Sequence, residues 1–188
     1  MKNSWRMTLV VAIIFAFTPA VINLAQAQQG KIVPYVPTPQ EVVDRMLEMA
    51  QVKKGDVVYD LGSGDGRIVI TAAQKYGVRA IGFEIDPERI KESRENIKKA
   101  GVGKLVEIRK QDIRTVDLSP ASVLTMYLLP EVNLMIRPHI WKQMKPGSRI
   151  VSHDFDMGDW KPLKTVNIKD GHDWDHTLYL WHVEAGKK

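Results

Sequence analysis

The stretch VVYDLGSGDGRIVI, residues 57–70, limits the fold more than any other part of the chain. A block of β-branched residues runs into three alternating glycines, and a new apolar segment follows at once. That order is strand, tight turn, helix. The turn places backbone amides where a small ligand can approach them. The same alternation then repeats. RAIGFE (79–84) has strand character, Asp86-Pro87 opens a helix that Gly101 stops, and LVEIRK (105–110) is again strand-like. ASVLTMYLL (121–129) is expected as a longer apolar strand, and residues 131–144 as a helix broken at Pro138. SRIVSHD (148–154) forms a further strand. LKTVNI and HTLYLWHV, with no helical pattern between them, read as an antiparallel pair. The expected fold is α/β: a mostly parallel seven-stranded sheet, Rossmann-like, with helices on both faces and an antiparallel C-terminal strand pair.

Ahead of the first strand, KIVPYVPTPQEVVDRMLEMA leads an extended, proline-stiffened segment into a helix. Thr38 suits the N-cap, Pro39 the first helical position and Glu41 the third, as in a capping box. Further upstream, Lys2 and Arg6 precede the uncharged apolar run 7–25, and Ala25-Gln26-Ala27 follows. These are the three parts of a secretory signal peptide. Residues 1–27 are therefore expected to direct export, with residues 28–188 as the working domain. The alternative is a retained membrane anchor through residues 7–25, with the domain facing out, or a cytoplasmic protein. The chain has no cysteine among its 188 residues, which excludes disulfides, thiolate metal sites and a thiol nucleophile. A net charge of +5, spread along the chain, gives no concentrated basic face for nucleic acid.

The chemistry of the glycine turn separates the cofactors that such a turn can hold. A nucleoside-triphosphate loop needs G-x-x-x-x-G-K-[ST], and here Arg67 stands where the second glycine belongs. A dinucleotide turn needs G-x-G-x-x-G. Gly62 and Gly64 supply two glycines, but Arg67 fills the third position and the pattern is G-x-G-x-G through Gly66. Asp60 and Asp65 would repel a pyrophosphate and attract a ligand that carries a sulfonium and an ammonium group. Glu84, at the end of the second strand, is placed to accept from ribose hydroxyls. Asp112, past the third strand, is placed to accept from an adenine amino group, or is a solvent-facing turn aspartate.

With these residues in view the chain resembles the class I S-adenosylmethionine-dependent methyltransferases, over about residues 34–155, through YDLGSGDG together with GFEID. VPYVPTP joined to VYDLGSGDGRIVITAA resembles more narrowly a group of protein-lysine methyltransferases, including broad-specificity archaeal enzymes and the mitochondrial enzyme that modifies ATP synthase. The resemblance implies S-adenosyl-L-methionine as cofactor, held by Asp60, Gly62, Gly64 and Glu84, with Tyr35 and Thr38 folding over its methionine end. It also implies transfer to a nitrogen nucleophile, a protein lysine before a small molecule; an exported cofactor-binding domain without catalysis is the remaining alternative. At the end of the fourth strand the chain reads TMYLLPE and lacks the Asn/Asp-Pro-Pro-aromatic tetrad of N6-base methyltransferases, so no nucleic-acid partner is expected. Tyr127 is the candidate for positioning the amine. His153, Asp154 and Asp156 in SHDFD invite a divalent-metal reading, as does GHDWDH, but turn carboxylates and satisfied histidines explain both, and no metal is expected.

Overall fold

The block Val57–Leu61 forms β1, an interior strand of a seven-stranded sheet in a computed structural model that describes residues 35–186. The signal-like residues 1–27, including the apolar run 7–25, lie outside the described residues. Among the described residues, no helix is long and apolar enough to cross a membrane.

The elements follow as α1 (Gln40–Met49), β1, α2 (Arg67–Tyr76), β2 (Arg79–Glu84), α3 (Pro87–Ala100), β3 (Val106–Lys110), β4 (Val123–Met126), α4 (Pro130–Gln143), β5 (Arg149–His153), β6 (Lys164–Lys169) and β7 (Asp175–His182). The spatial order is β3-β2-β1-β4-β5-β7-β6. The first five are parallel, and β7 runs antiparallel between β5 and β6. The expected architecture is thus present. Successive strand residues point to opposite faces, so Val58 joins the core under α1, α2 and α3, while Tyr59 joins the core under α4. Both faces of β1 are covered, which is why its sequence is a continuous apolar block rather than an alternation. The chain leaves β1 toward β2 and β3, then returns to β4 on the other side. That reversal opens a crevice beyond the carboxyl ends of β1 and β4.

Three local expectations need correction. β4 ends at Met126, not at residue 129, because its partner β1 ends opposite it at Leu61 and turns away at Gly62. Tyr127 is thereby released from the sheet into the crevice. Helix α4 runs unbroken through Pro138. Pro138 and Leu134, the residue whose carbonyl Pro138 cannot serve, are both exposed, while Val132, Ile136 and Ile140 stay anchored in the core. Finally, α1 begins at Gln40 with Pro39 at the N-cap, and no capping box forms. Thr38 directs its hydroxyl elsewhere, to His153.

Candidate functional site: a glycine-lined cleft beside a buried histidine pair

The turn after β1 is fastened to the end of β2. The amides of Gly62 and Ser63 both donate to the Phe83 carbonyl, at 2.9 and 3.0 Å. The Gly64 amide donates to Glu84 Oε2 at 2.9 Å, and Glu84 Oε1 accepts from the amides of Ile85 (2.7 Å) and Asp86 (3.0 Å). One carboxylate therefore holds both the glycine turn and its own strand exit. Gly64 has φ +51°, and a Cβ there would lie 2.4 Å from Tyr35 Cε2. Tyr35 covers the turn only because position 64 has no side chain. Gly66 caps α2 in the left-handed conformation.

Asp60, at the end of β1, is buried and accepts from Thr125 Oγ1 at 2.8 Å. Burial raises its pKa to about 7, with the carboxylates of Glu84 and Asp65 adding to the rise against the Thr125 hydrogen bond. Asp65 behaves oppositely. Burial alone would raise it, but a two-pronged hydrogen bond from Arg67 outweighs this and holds it below the usual carboxylate range. Arg67, the residue standing where a dinucleotide turn needs glycine, also donates from Nη1 to the Thr38 carbonyl at 2.7 Å. That bond fixes the leading segment Tyr35–Thr38 along the cleft, and the Arg89 guanidinium lies 4.8 Å over the Tyr35 ring. Asp112 is on the wall, with its carboxylate against Arg114 and accepting from the Arg114 amide at 2.9 Å. The structure brings Tyr35, Thr38, Asp60, Gly62, Gly64, Glu84, Asp112 and Tyr127 to one cleft. Gly66 stands just behind it, at the start of α2.

These residues fit an adenosine-bearing cation. Gly62 and Gly64 present no side chain to the cleft, the Ser63 hydroxyl is buried without a partner, and Asp60 is held where positive charge would ionise it.

The far wall was only partly legible in the sequence: Tyr127 stands where it was expected, but the pairing of His153 with His176 was not foreseen. Tyr127 stacks on His153, with ring centroids 3.9 Å apart, and Phe155 lies nearly parallel to Tyr127 at 6.2 Å. Burial, then Asp154, pushes the Tyr127 hydroxyl up to about 12. His153, at the end of β5, is wholly buried; its Nδ1 meets Thr38 Oγ1 at 3.2 Å and its Nε2 meets His176 Nδ1 at 2.9 Å. Asp154 Oδ2 lies 3.3 Å from His153 Nε2 and 3.8 Å from His176 Nδ1. Asp170 backs His176 Nε2 at 3.4 Å. The SHDFD and GHDWDH motifs thus meet through His153 and His176, not through the spacing visible within either. Asp156 turns to the Gly158 amide, and the His172 amide donates to Asp170. The signal that could have found the pair is the β5–β7 antiparallel register, which sets His153 opposite Leu178 and so brings His176 alongside.

Comparison with known proteins adds the family. Residues 60–164 match the ANTKMT methyltransferase domain. A protein-lysine N-methyltransferase of Saccharolobus islandicus (strain REY15A) is 51% identical over 156 residues, covering 82% of this chain and 96% of its own. The adenine nucleotide translocase lysine N-methyltransferase of Mus musculus is 30% identical over 148 residues, covering 78% of this chain and 64% of its own. Among solved structures, an RNA methyltransferase from Salinibacter ruber in complex with S-adenosyl-L-homocysteine is 53% identical with a TM-score of 0.75, covering 80% of this chain and 95% of that one. The parallel sheet, its glycine turn and these matches agree, and the chain belongs to the ANTKMT methyltransferase domain family.

Proposed function

We propose that this protein is an S-adenosylmethionine-dependent methyltransferase that modifies the side-chain amine of protein lysines. The observation that carries the lysine reading is the 51% identity to a protein-lysine N-methyltransferase matched over 96% of its length. S-adenosylmethionine, when bound, supplies a methyl group on a sulfonium, and transfer to an amine requires chiefly alignment and exclusion of water. Glu84 and the glycine turn hold the ribose, Asp60 and Asp65 balance the positive charge, and Tyr35 with Thr38 closes the methionine end. Asp112 borders the adenine, and Tyr127 orients the incoming amine. The half-open wall at Tyr127 and Phe155 suits a side chain that protrudes from a folded partner better than a small molecule that must be enclosed.

The domain is read as residues 28–188, exported or anchored facing outward through the signal-like residues 1–27. Fractionation of cells expressing the C-terminally tagged chain tests this, and recovery of all of it with cytoplasmic markers would reject it. The activity is tested by calorimetric titration with S-adenosylmethionine against NAD as control. Methyl-labelled S-adenosylmethionine is then incubated with the enzyme and either a histone mixture or total RNA. Label on lysine, located by mass spectrometry, is expected. Label on RNA alone would replace the lysine reading.

A further inference from the structure

Asp154 follows β5 directly and stands behind Tyr127, and its backbone geometry is uncommon. Its φ is 60°, a left-handed conformation for a residue with a side chain. Such conformations persist only where surrounding contacts enforce them, and they concentrate at functional sites. Here the contacts are explicit. The Asp154 amide donates to the Thr177 carbonyl at 2.7 Å, and Asp154 Oδ1 accepts from the Thr177 amide at 2.9 Å. Oδ2 is left facing the two imidazoles, the side chain is a quarter exposed, and the carboxylate interacts with Tyr127, which lines the cleft.

We propose that Asp154 is the carboxylate that receives the substrate's ammonium group and takes its proton, with His153 and His176 as positioning residues behind it. This rests on the protein-lysine reading above. A carboxylate beside two aromatic faces is the arrangement that best accommodates a desolvated ammonium. In the step, an ammonium N–H bond breaks, its electron pair stays on nitrogen as the lone pair that accepts the methyl group, and an O–H bond forms on Asp154. Partial exposure then lets the proton pass to water.

The histidines hold the Asp154 carboxylate in place. With the Thr38 hydroxyl donating to His153 Nδ1, the proton of His153 sits on Nε2, shared between His176 Nδ1 and Asp154 Oδ2. His176 then directs its own Nε2 proton toward Asp170. Burial pushes His153 down to about 4, with Asp154 opposing and His176 adding to the fall, so the imidazole stays neutral at working pH. The alternative use of His153, Asp154 and His176 is as three ligands of a metal ion, since their ligand atoms lie within 4.8 Å of one another. The distances favour the hydrogen bond. Two nitrogens on a tetrahedral zinc, each about 2.0–2.1 Å from the metal, stand roughly 3.3 Å apart, whereas these stand at 2.9 Å.

The test uses Asp154→Asn in the full chain, because Asn tolerates a left-handed backbone and the variant can fold. Three quantities are measured: S-adenosylmethionine affinity by calorimetry, binding of a fluorescent lysine peptide against its acetyl-lysine counterpart, and kcat on the histone mixture across pH. Wild type should prefer the lysine peptide, and Asp154→Asn should lose that preference. Its kcat should fall about 100-fold or more, the usual contribution of a positioned base, with cofactor affinity within about twofold. The groups facing Asp154 are its neighbour His153 at the end of β5, His176 and Thr177 on β7, and Tyr127 after β4. His176→Asn should therefore lower kcat in the same direction as Asp154→Asn, with KM for the peptide and cofactor affinity little changed. Lysine labelling by wild type with an unchanged Asp154→Asn overturns this assignment alone. No lysine labelling by wild type overturns the protein-lysine reading and this inference with it. One equivalent of zinc in purified wild type, lost in both variants, would replace the proton role with a metal site.

Discussion

Replacing Asp60 separates what the site costs the folded chain from what it gives to binding. The carboxyl is 2% exposed and keeps one hydrogen bond, from Thr125, while Glu84 and Asp65 stand close enough to repel its charge. Burial first, and those charges second, lift its pKa from 3.8 to about 7. A carboxyl whose folded pKa is raised takes up a proton on folding. Its stabilising contribution is complete below pH 3.8 and is lost as pH rises through about 7. At 1.36 kcal/mol per pH unit, the gap of roughly three units means that ionised Asp60 costs the cofactor-free protein about 4 kcal/mol above pH 7. Asn has the same shape, retains an acceptor for Thr125 and cannot ionise. Asp60→Asn should therefore be more stable than wild type at pH 8, by up to about 4 kcal/mol, and equal to it near pH 4. Urea unfolding of both proteins at pH 4, 6 and 8 measures this difference directly. Cofactor affinity at pH 8 should move the other way, weaker in Asp60→Asn, and wild type at pH 6 should release a proton on binding. A stability difference that is the same at all three pH values would refute the reasoning.

Gly64→Val should leave a folded domain but abolish cofactor binding in calorimetry, because its Cβ would sit 2.4 Å from Tyr35 and displace the ring into the cleft; unchanged affinity would refute the pocket. Glu84→Ala should weaken cofactor binding by roughly 1.5–3 kcal/mol, the range for a hydrogen bond to a charged group, and also lower the melting temperature, since three backbone amides lose their acceptor. Thr38→Val removes the hydroxyl from His153 but leaves the carbonyl bond to Arg67; KM for the acceptor should rise with cofactor affinity little changed. Arg149→Leu takes the guanidinium from the buried Asp56 carboxylate at the opposite end of the sheet, leaving it the Ser122 hydroxyl and the Lys53 amide, and should cost about 1.5–3 kcal/mol in urea unfolding without altering cofactor affinity.

The sequence was most legible where structure is decided locally. Apolar runs and glycine spacing set the strand, turn and helix around residues 57–76, and Asp86-Pro87 with Gly101 bounded α3 as expected. It was least legible where a local signal competes with a distant partner. Thr38, followed three residues later by Glu41, has the pattern of a capping box, yet its hydroxyl bonds His153, 115 residues away. Hydrophobicity past Met126 cannot report that the neighbouring strand has ended, so the apolar run overstates the length of β4. The histidine pair was hidden for a related reason. Each motif contained its own decoy, Asp156 beside His153 and His172 beside His176, and only sheet register selects the true neighbours.

These distant contacts give the leading segment a role that its sequence does not announce. The reversal of strand order divides the site, with the glycine turn, Asp60 and Glu84 on β1 and β2, and Tyr127, His153 and Asp154 after β4 and β5. Beyond the sheet itself, Thr38 joins the two halves. Its carbonyl is held by Arg67, which grips Asp65 on the glycine turn, and its hydroxyl is held by His153, which faces Asp154. A dinucleotide-type glycine at position 67 would leave that carbonyl without its donor, so the residue that departs from the dinucleotide pattern is the one that secures the segment. A free helix cap at Thr38 would have stabilised α1 by about 1 kcal/mol. The chain forgoes that local gain, and in return the residue closing over the cofactor cleft is tied to the wall where the acceptor arrives.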